Sequence, residues 1–146
     1  MCIRNLKIGK VLVVDDTEDI RELMERLLIS RGYKVFSTPN GESALTEIAR
    51  ALHADEPYDA VLLDYAMPDM DGLTCALKIR ENEAAEENCA HVRIGFVTGH
   101  PDLRLNSHLL QNIGAKQTDK IKVVEKLANL EEWLQPDKCQ DCAMAA

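Results

Sequence analysis

Ala60-Val61-Leu62-Leu63-Asp64-Tyr65-Ala66-Met67-Pro68-Asp69-Met70-Asp71-Gly72 is the stretch on which the fold turns. An unbroken apolar run bounded by turn residues reads as a strand buried on both faces. Asp64 closes that run, and Met67-Pro68 and Asp71-Gly72 follow at once. A carboxylate at the tip of a buried strand, ahead of a rigid turn, is held out of the sheet edge. A second edge of the same kind lies upstream, where Val11-Leu12-Val13-Val14 runs into Asp15-Asp16. Two strands that end in carboxylates predict one acidic pocket at the carboxyl ends of a parallel sheet, where open α/β folds bind ligands. Clustered carboxylates repel one another, so a hard divalent cation is their natural neutraliser.

Outward from this stretch, strand and helix patterns alternate. Lys10–Val14 reads as a strand. Thr17 to Arg31 carries Ile20, Leu23, Met24, Leu27 and Leu28 at helical spacing, with Gly32 where a helix C-terminus expects glycine. Tyr33–Ser37 is a second strand, Asn40-Gly41 a turn, and Glu42 to Leu52 a helix. After the Ala60–Asp64 strand, Leu73, Ala76, Leu77 and Arg80 begin a third helix. It fades into acidic Glu81–Asn88, which reads as a solvated helix end or loop. Arg93–Thr98 is a fourth strand, and Leu103 to Ile113 a helix ended by Gly114. Lys116–Ile121 occupies the slot of a fifth strand, although it is poorly apolar. Val123, Val124, Leu127, Leu130 and Leu134 form the face of a last helix. This pattern implies right-handed βαβ units, hence an α/β fold: a (βα)5 doubly wound domain with a parallel five-stranded sheet. Periodicity does not fix the strand order. Residues 1–135 form one domain, and 136–146 a polar tail.

Composition narrows the function. The chain has 146 residues, 46% hydrophobic and 29% charged, an ordinary globular balance. Net charge is −8 without a basic block, which argues against a nucleic-acid surface. No apolar run approaches the roughly 20 residues needed to span a bilayer. The N-terminus carries Arg4, Lys7 and Lys10 but no signal-peptide core, so a cytosolic protein is expected. The five cysteines are odd in number and irregularly spaced, which speaks against a disulfide framework. Cys139 and Cys142 form a CxxC pair in the tail, where no second pair completes a zinc site. Cys75 and Cys89 read as packing or surface residues.

With Asp15-Asp16, Asp64, Met67-Pro68, Asp71-Gly72, Thr98 and a late lysine in order, each at the end of its own strand, the chain resembles the receiver domain of bacterial two-component response regulators. The resemblance covers roughly residues 9–134 and carries with it the flavodoxin-like strand order 2-1-3-4-5. It implies that Asp64 is the phosphoacceptor, fed by a histidine kinase or a histidine phosphotransfer protein, with the signal passed to a downstream protein target. It implies Mg2+ held by Asp15, Asp16 and Asp64 and by the backbone carbonyl of Ala66. Mg2+ keeps waters and takes few carboxylates plus phosphoryl oxygens, which suits this set. Thr98 would donate its hydroxyl to one phosphoryl oxygen and a lysine its ammonium to another. Three carboxylates, one lysine and a divalent cation sum to zero. The lysine is Lys120 by its spacing to Leu127, with Lys122 the alternative, because Ile121 stands where the family usually has proline. Such a protein catalyses its own phosphorylation chemistry and is not a conventional enzyme.

The residues leave other readings open. Asp15-Asp16 can serve as a helix cap, Thr98 as an ordinary strand-end hydroxyl, and His100 as a solvated loop histidine. A pseudo-receiver, an interaction module that is never phosphorylated, is the main alternative. A haloacid-dehalogenase-like phosphatase would want a second Asp two residues after the nucleophile, where Ala66 stands. The family commonly carries an aromatic residue three positions before the lysine. Counting back from Lys120 gives Gln117, so that ring is missing and a small conformational response is expected.

Overall fold

Val11, Leu12, Val13 and Val14 have no exposed surface, and Ala60 to Leu63 have almost none. Strands buried on both faces belong to a parallel sheet with helices on each side. The computed structural model has that architecture and describes residues 7–86, 91–99, 106–119, 127 and 129–134. The strands are β1 (Lys10–Val14), β2 (Lys34–Thr38), β3 (Ala60–Asp64), β4 (Arg93–Thr98) and β5 (Ala115–Asp119). The helices are α1 (Glu18–Ser30), α2 (Gly41–His53), α3 (Gly72–Ala85), α4 (Ser107–Ile113) and a short α5 (Leu130–Trp133). Among the described residues the sheet has five strands, all pairings parallel, in the order β2-β1-β3-β4-β5.

Alternate side chains of the central strands β1, β3 and β4 feed two separate cores. Leu12, Val14, Val61, Leu63, Ile94 and Phe96 pack against Ala44 and Ala51 of α2, Ala76 and Ile79 of α3, and Ile113. Val11, Val13, Leu62 and Val97 pack against Met24 and Leu28 of α1 and against Leu127, Leu130 and Leu134. The period-2 alternation of a strand thus assigns α2, α3 and α4 to one face and α1 and α5 to the other. Cys75 is fully buried on the first face, and burial pushes its thiol up to about 11. It is a packing residue, as the sequence suggested.

Element bounds shift slightly from expectation. β2 begins and ends one residue later than Tyr33–Ser37, and β5 covers Ala115–Asp119 where Lys116–Ile121 was expected. Of the helix expected over 103–113, the described part is Ser107–Ile113, and of the last helix only residues 127 and 129–134 are described.

One expectation is corrected at a single residue, since residues 81, 82 and 84–86 are exposed as expected but Glu83 is not. The acidic stretch from Glu81 is not wholly solvated: α3 continues to Ala85 and Glu83 is buried, 7% exposed. Its carboxylate accepts hydrogen bonds from Arg80 Nη1 at 2.6 Å and from the Val92 backbone N–H at 2.7 Å. A buried carboxylate needs partners, and here they tie the end of α3 to the start of β4.

Candidate functional site

The chain leaves β1 for β2 on one side and returns to β3 on the other. The switch point of the sheet therefore lies between β1 and β3, at their carboxyl ends, where open α/β sheets bind ligands. Val14 pairs with Leu63, so Asp15 and Asp64 sit side by side at adjoining strand ends. Asp64 in turn pairs with Val97, which brings Thr98 at the end of β4 beside it. Parallel register alone gathers these groups.

Asp15, Asp16 and Asp64 each offer a carboxylate oxygen, and these oxygens all lie within 4.8 Å of one another. Asp15 is fully buried, Asp64 is 4% exposed and Thr98 is 1% exposed. Asp16 is exposed. The cluster is thus closed at its floor and open to solvent on the Asp16 side. The donor set is oxygen alone, without histidine or cysteine, which suits a hard cation such as Mg2+ and not zinc or copper. Neither acid caps α1. Its N-cap is Thr17, whose backbone N–H donates to Asp15 Oδ1 at 2.9 Å.

The turn after β3 is built from its sequence. Asp69 adopts a left-handed φ of 68°, and the Met70 N–H donates to the Pro68 carbonyl at 2.7 Å. Asp71 caps α3, its carboxylate accepting from the Thr74 N–H at 2.7 Å. Gly72 closes the turn, donating its N–H to the Tyr65 carbonyl at 2.8 Å. Ala66 is exposed at the start of this turn, two residues past Asp64. Met70 lies against Gly41 at the start of α2, where a Cβ would come within 2.7 Å of Met70 Sδ. The turn that follows the central acid is thereby wedged between two helix N-termini.

Asp15, Asp16, Asp64 and Thr98, four residues that the sequence singled out, therefore converge. Lys120, Lys122 and His100 lie outside the described residues. Asp119, which precedes Lys120, pairs in register with Thr98. Gln117, at the place where an aromatic ring is missing, pairs with Phe96. The ring that does meet Phe96 is Tyr65, edge-on at 6.5 Å between centroids and 70° between planes. Sequence reading missed that contact, because Tyr65 carried no pattern of its own.

Residues 11–128 match the response regulator receiver domain family. The chain belongs to this family. The receiver is 37% identical over 95 residues to the transcriptional regulatory protein AruR of Pseudomonas aeruginosa, covering 65% of this chain and 36% of that protein. It is 42% identical over 76 residues to hybrid signal transduction histidine kinase L of Dictyostelium discoideum, covering 52% of this chain and 4% of that one. The chain therefore spans only a small part of the length of these relatives. Among solved structures, the receiver is similar to the Mg2+-complexed receiver domain of the histidine kinase CKI1 from Arabidopsis thaliana. That match has a TM-score of 0.71 at 27% identity and covers 85% of this chain and 90% of the other. The chemotaxis protein CheY4 of Vibrio cholerae shares the fold, with a TM-score of 0.66 at 23% identity over 88% of this chain and 99% of that one. No helix among the described residues of the receiver is long and apolar enough to cross a membrane.

Proposed function

We propose that Asp64 of this receiver accepts a phosphoryl group from the phosphohistidine of a histidine kinase or histidine phosphotransfer protein. The observation that carries this reading is the convergence of Asp15, Asp16 and Asp64, with ligand oxygens within 4.8 Å of one another, beside the strand that ends in Thr98. A carboxylate oxygen of Asp64 attacks the phosphorus, an O–P bond forms, the N–P bond breaks, and the electron pair returns to the donor's imidazole. Asp15, Asp16 and Asp64, with the Ala66 carbonyl, would hold Mg2+. When bound, such an ion neutralises charge on the carboxylates and on the phosphoryl oxygens. The Thr98 hydroxyl donates to one phosphoryl oxygen, and Lys120 pairs with another. Burial of Asp15, Asp64 and Thr98 keeps water away from all but the Asp16 side, which strengthens each electrostatic contact. The phosphorylated receiver then acts on a downstream protein.

Intact-mass measurement after exposure to a small acyl phosphate with Mg2+ tests the reading. The wild-type chain should gain one phosphoryl group, and Asp64→Asn should gain none. A phosphoryl group on another acid of Asp64→Asn would show that the acceptor is misassigned. No mass gain on the wild-type chain, with its acids intact, would favour the pseudo-receiver.

A further inference from the structure

Helix side chains lean back toward the N-terminus of their own helix. On α1 this sends one long cation backward out of the helix and onto the loop that carries the acids. Arg21 Nη1 donates to the backbone carbonyl of Asp15 at 2.8 Å, six residues upstream. That carbonyl belongs to the peptide joining Asp15 to Asp16. Its orientation decides where the Asp16 chain leaves the strand end and where the Asp16 carboxylate can stand.

The rest of the loop is fixed by neighbours. The Asp15 N–H donates to the Thr38 carbonyl of β2 at 3.3 Å. Asp15 Oδ1 accepts from the Thr17 N–H at 2.9 Å, and the Arg21 N–H donates to the Thr17 carbonyl at 2.9 Å. These bonds anchor Asp15 and the first turn of α1. The bond from Arg21 grips the peptide between the two acids directly. Arg21 is half-buried, so its guanidinium is partly withdrawn from competing water.

We infer that Arg21 is a positioning residue of the acidic cluster: it locks the Asp15–Asp16 peptide so that the exposed Asp16 carboxylate is held toward Asp15 and Asp64. This inference rests on the reading of the cluster as a divalent-cation site. Two roles for Arg21 predict opposite signs. A guanidinium keeps its positive charge. If it acted only as a charge beside three carboxylates, it would oppose a second cation, and its removal would tighten Mg2+ binding. If it positions the peptide, its removal loosens Asp16 and weakens Mg2+ binding, because groups that orient a ligand commonly carry about tenfold or more in metal affinity.

Mg2+ titration of the full chain, followed by amide chemical shifts, separates these. Arg21→Ala should weaken Mg2+ binding by about tenfold. Arg21→Gln, which keeps an N–H donor without the charge, and Arg21→Lys, which keeps both in another shape, should each recover part of the loss. The Arg21→Ala effect should vanish in an Asp16→Ala background, because the two residues act through one ligand. Without metal, Arg21→Ala should move the Asp16 and Thr17 amide signals while those of β4 stay in place. Unchanged or tighter Mg2+ binding by Arg21→Ala overturns the inference and leaves the site reading standing. So does an equal loss in the Asp16→Ala background. If the wild-type chain does not bind Mg2+ at these acids, both fall together.

Discussion

Gly72 lies directly against the backbone of Asp64. A Cβ on Gly72 would stand 2.5 Å from the Asp64 carbonyl oxygen and 2.9 Å from Tyr65 Cα. Those neighbours are backbone in a buried strand end, so they cannot swing aside as a side chain would. Gly72 is therefore a close-approach glycine, required by contact and not by its φ. It lets the first turn of α3 rest on the peptide that carries the acid.

Gly72→Ala should accordingly shift the β3 strand end. Overpacking of this kind costs about 1–3 kcal/mol. The same shift moves the Asp64 carboxylate relative to Asp15, so phosphorylation by a small phosphodonor should slow. Urea denaturation and phosphorylation time courses check the two effects. Wild-type stability with wild-type phosphorylation would show that the turn can yield.

A second glycine holds a helix. Gly95 on β4 is where Trp133 docks: a Cβ there would come within 2.7 Å of Trp133 Cη2 and 3.0 Å of Leu134 Cδ2. Gly95→Val should push α5 off the sheet while leaving the acidic cluster in place. Trp133 is the only tryptophan in the chain, so its emission reports how α5 sits on the sheet. A red shift of that emission, with Mg2+ affinity preserved, is the expected result.

Much of this architecture was legible in the residues, and the reason is periodicity. Val11–Val14 and Ala60–Leu63 are apolar runs short enough, and closely enough bounded by turn residues, to read as buried strands, and the acids that end them meet because those strands are neighbours. Strand order was not legible, since no periodicity records which strand lies beside which; it came from resemblance, and the pairing bears it out. Contacts set by shape were invisible as well. Gly72 read only as a turn residue and Gly95 carried no reading of its own, because what each glycine touches is set by the packed fold. Glu83 read as one more acid in a solvated run, since its partners Arg80 and Val92 become partners only once α3 and β4 are packed. Arg21 carried no signal in the sequence for the same reason, since its contact with Asp15 exists only in the folded loop.

The acid side of the stability curve should depend on Glu47. Its carboxylate accepts from Arg50 Nη2 at 2.6 Å, Arg50 Nε at 2.9 Å and the Tyr58 hydroxyl at 2.7 Å. The Arg50 hydrogen bonds, followed by that of Tyr58, lower its pKa to about 2. A depressed carboxylate contributes stability above its unfolded value, roughly 4.3, and loses it as pH falls through the folded value. Glu47→Gln should therefore flatten the decline in stability between roughly pH 4 and pH 2 while changing little near pH 7 in slope. The effect is small, because Arg50 is exposed and solvent screens the pair. Urea midpoints measured across that range decide it. A decline as steep in Glu47→Gln as in the wild-type chain would assign the acid transition to other carboxylates.

The far end of α4 is held by one guanidinium. Arg80 Nε donates to the Ile113 carbonyl at 2.6 Å and Nη2 to the Gly114 carbonyl at 3.3 Å, so it caps the last carbonyls of α4 from α3. Its third nitrogen, Nη1, meets Glu83 Oε1 at 2.6 Å, and Glu83 Oε2 takes the Val92 N–H at 2.7 Å. Two side chains thus join α3, α4 and the start of β4. The side chains are 17% and 6% exposed, so the pair is largely desolvated. Removing one partner of such a pair strands the other, and losses of about 3–5 kcal/mol are typical. Arg80→Ala should fall near the lower end of that range, since Glu83 keeps its bond to Val92. In a Glu83→Gln background the same change should cost less, because no stranded charge remains. The clamp also bears on signalling. With its C-terminal carbonyls held by Arg80, α4 should respond to events at Thr98 mainly at its Asn106 end. Binding of a phosphoryl mimic to the wild-type chain should therefore shift amide signals at Asn106–His108 more than those at Ile113–Gly114, and Arg80→Ala should erase that gradient. Equal shifts along α4 in the wild-type chain would show that the clamp does not hold the helix during switching.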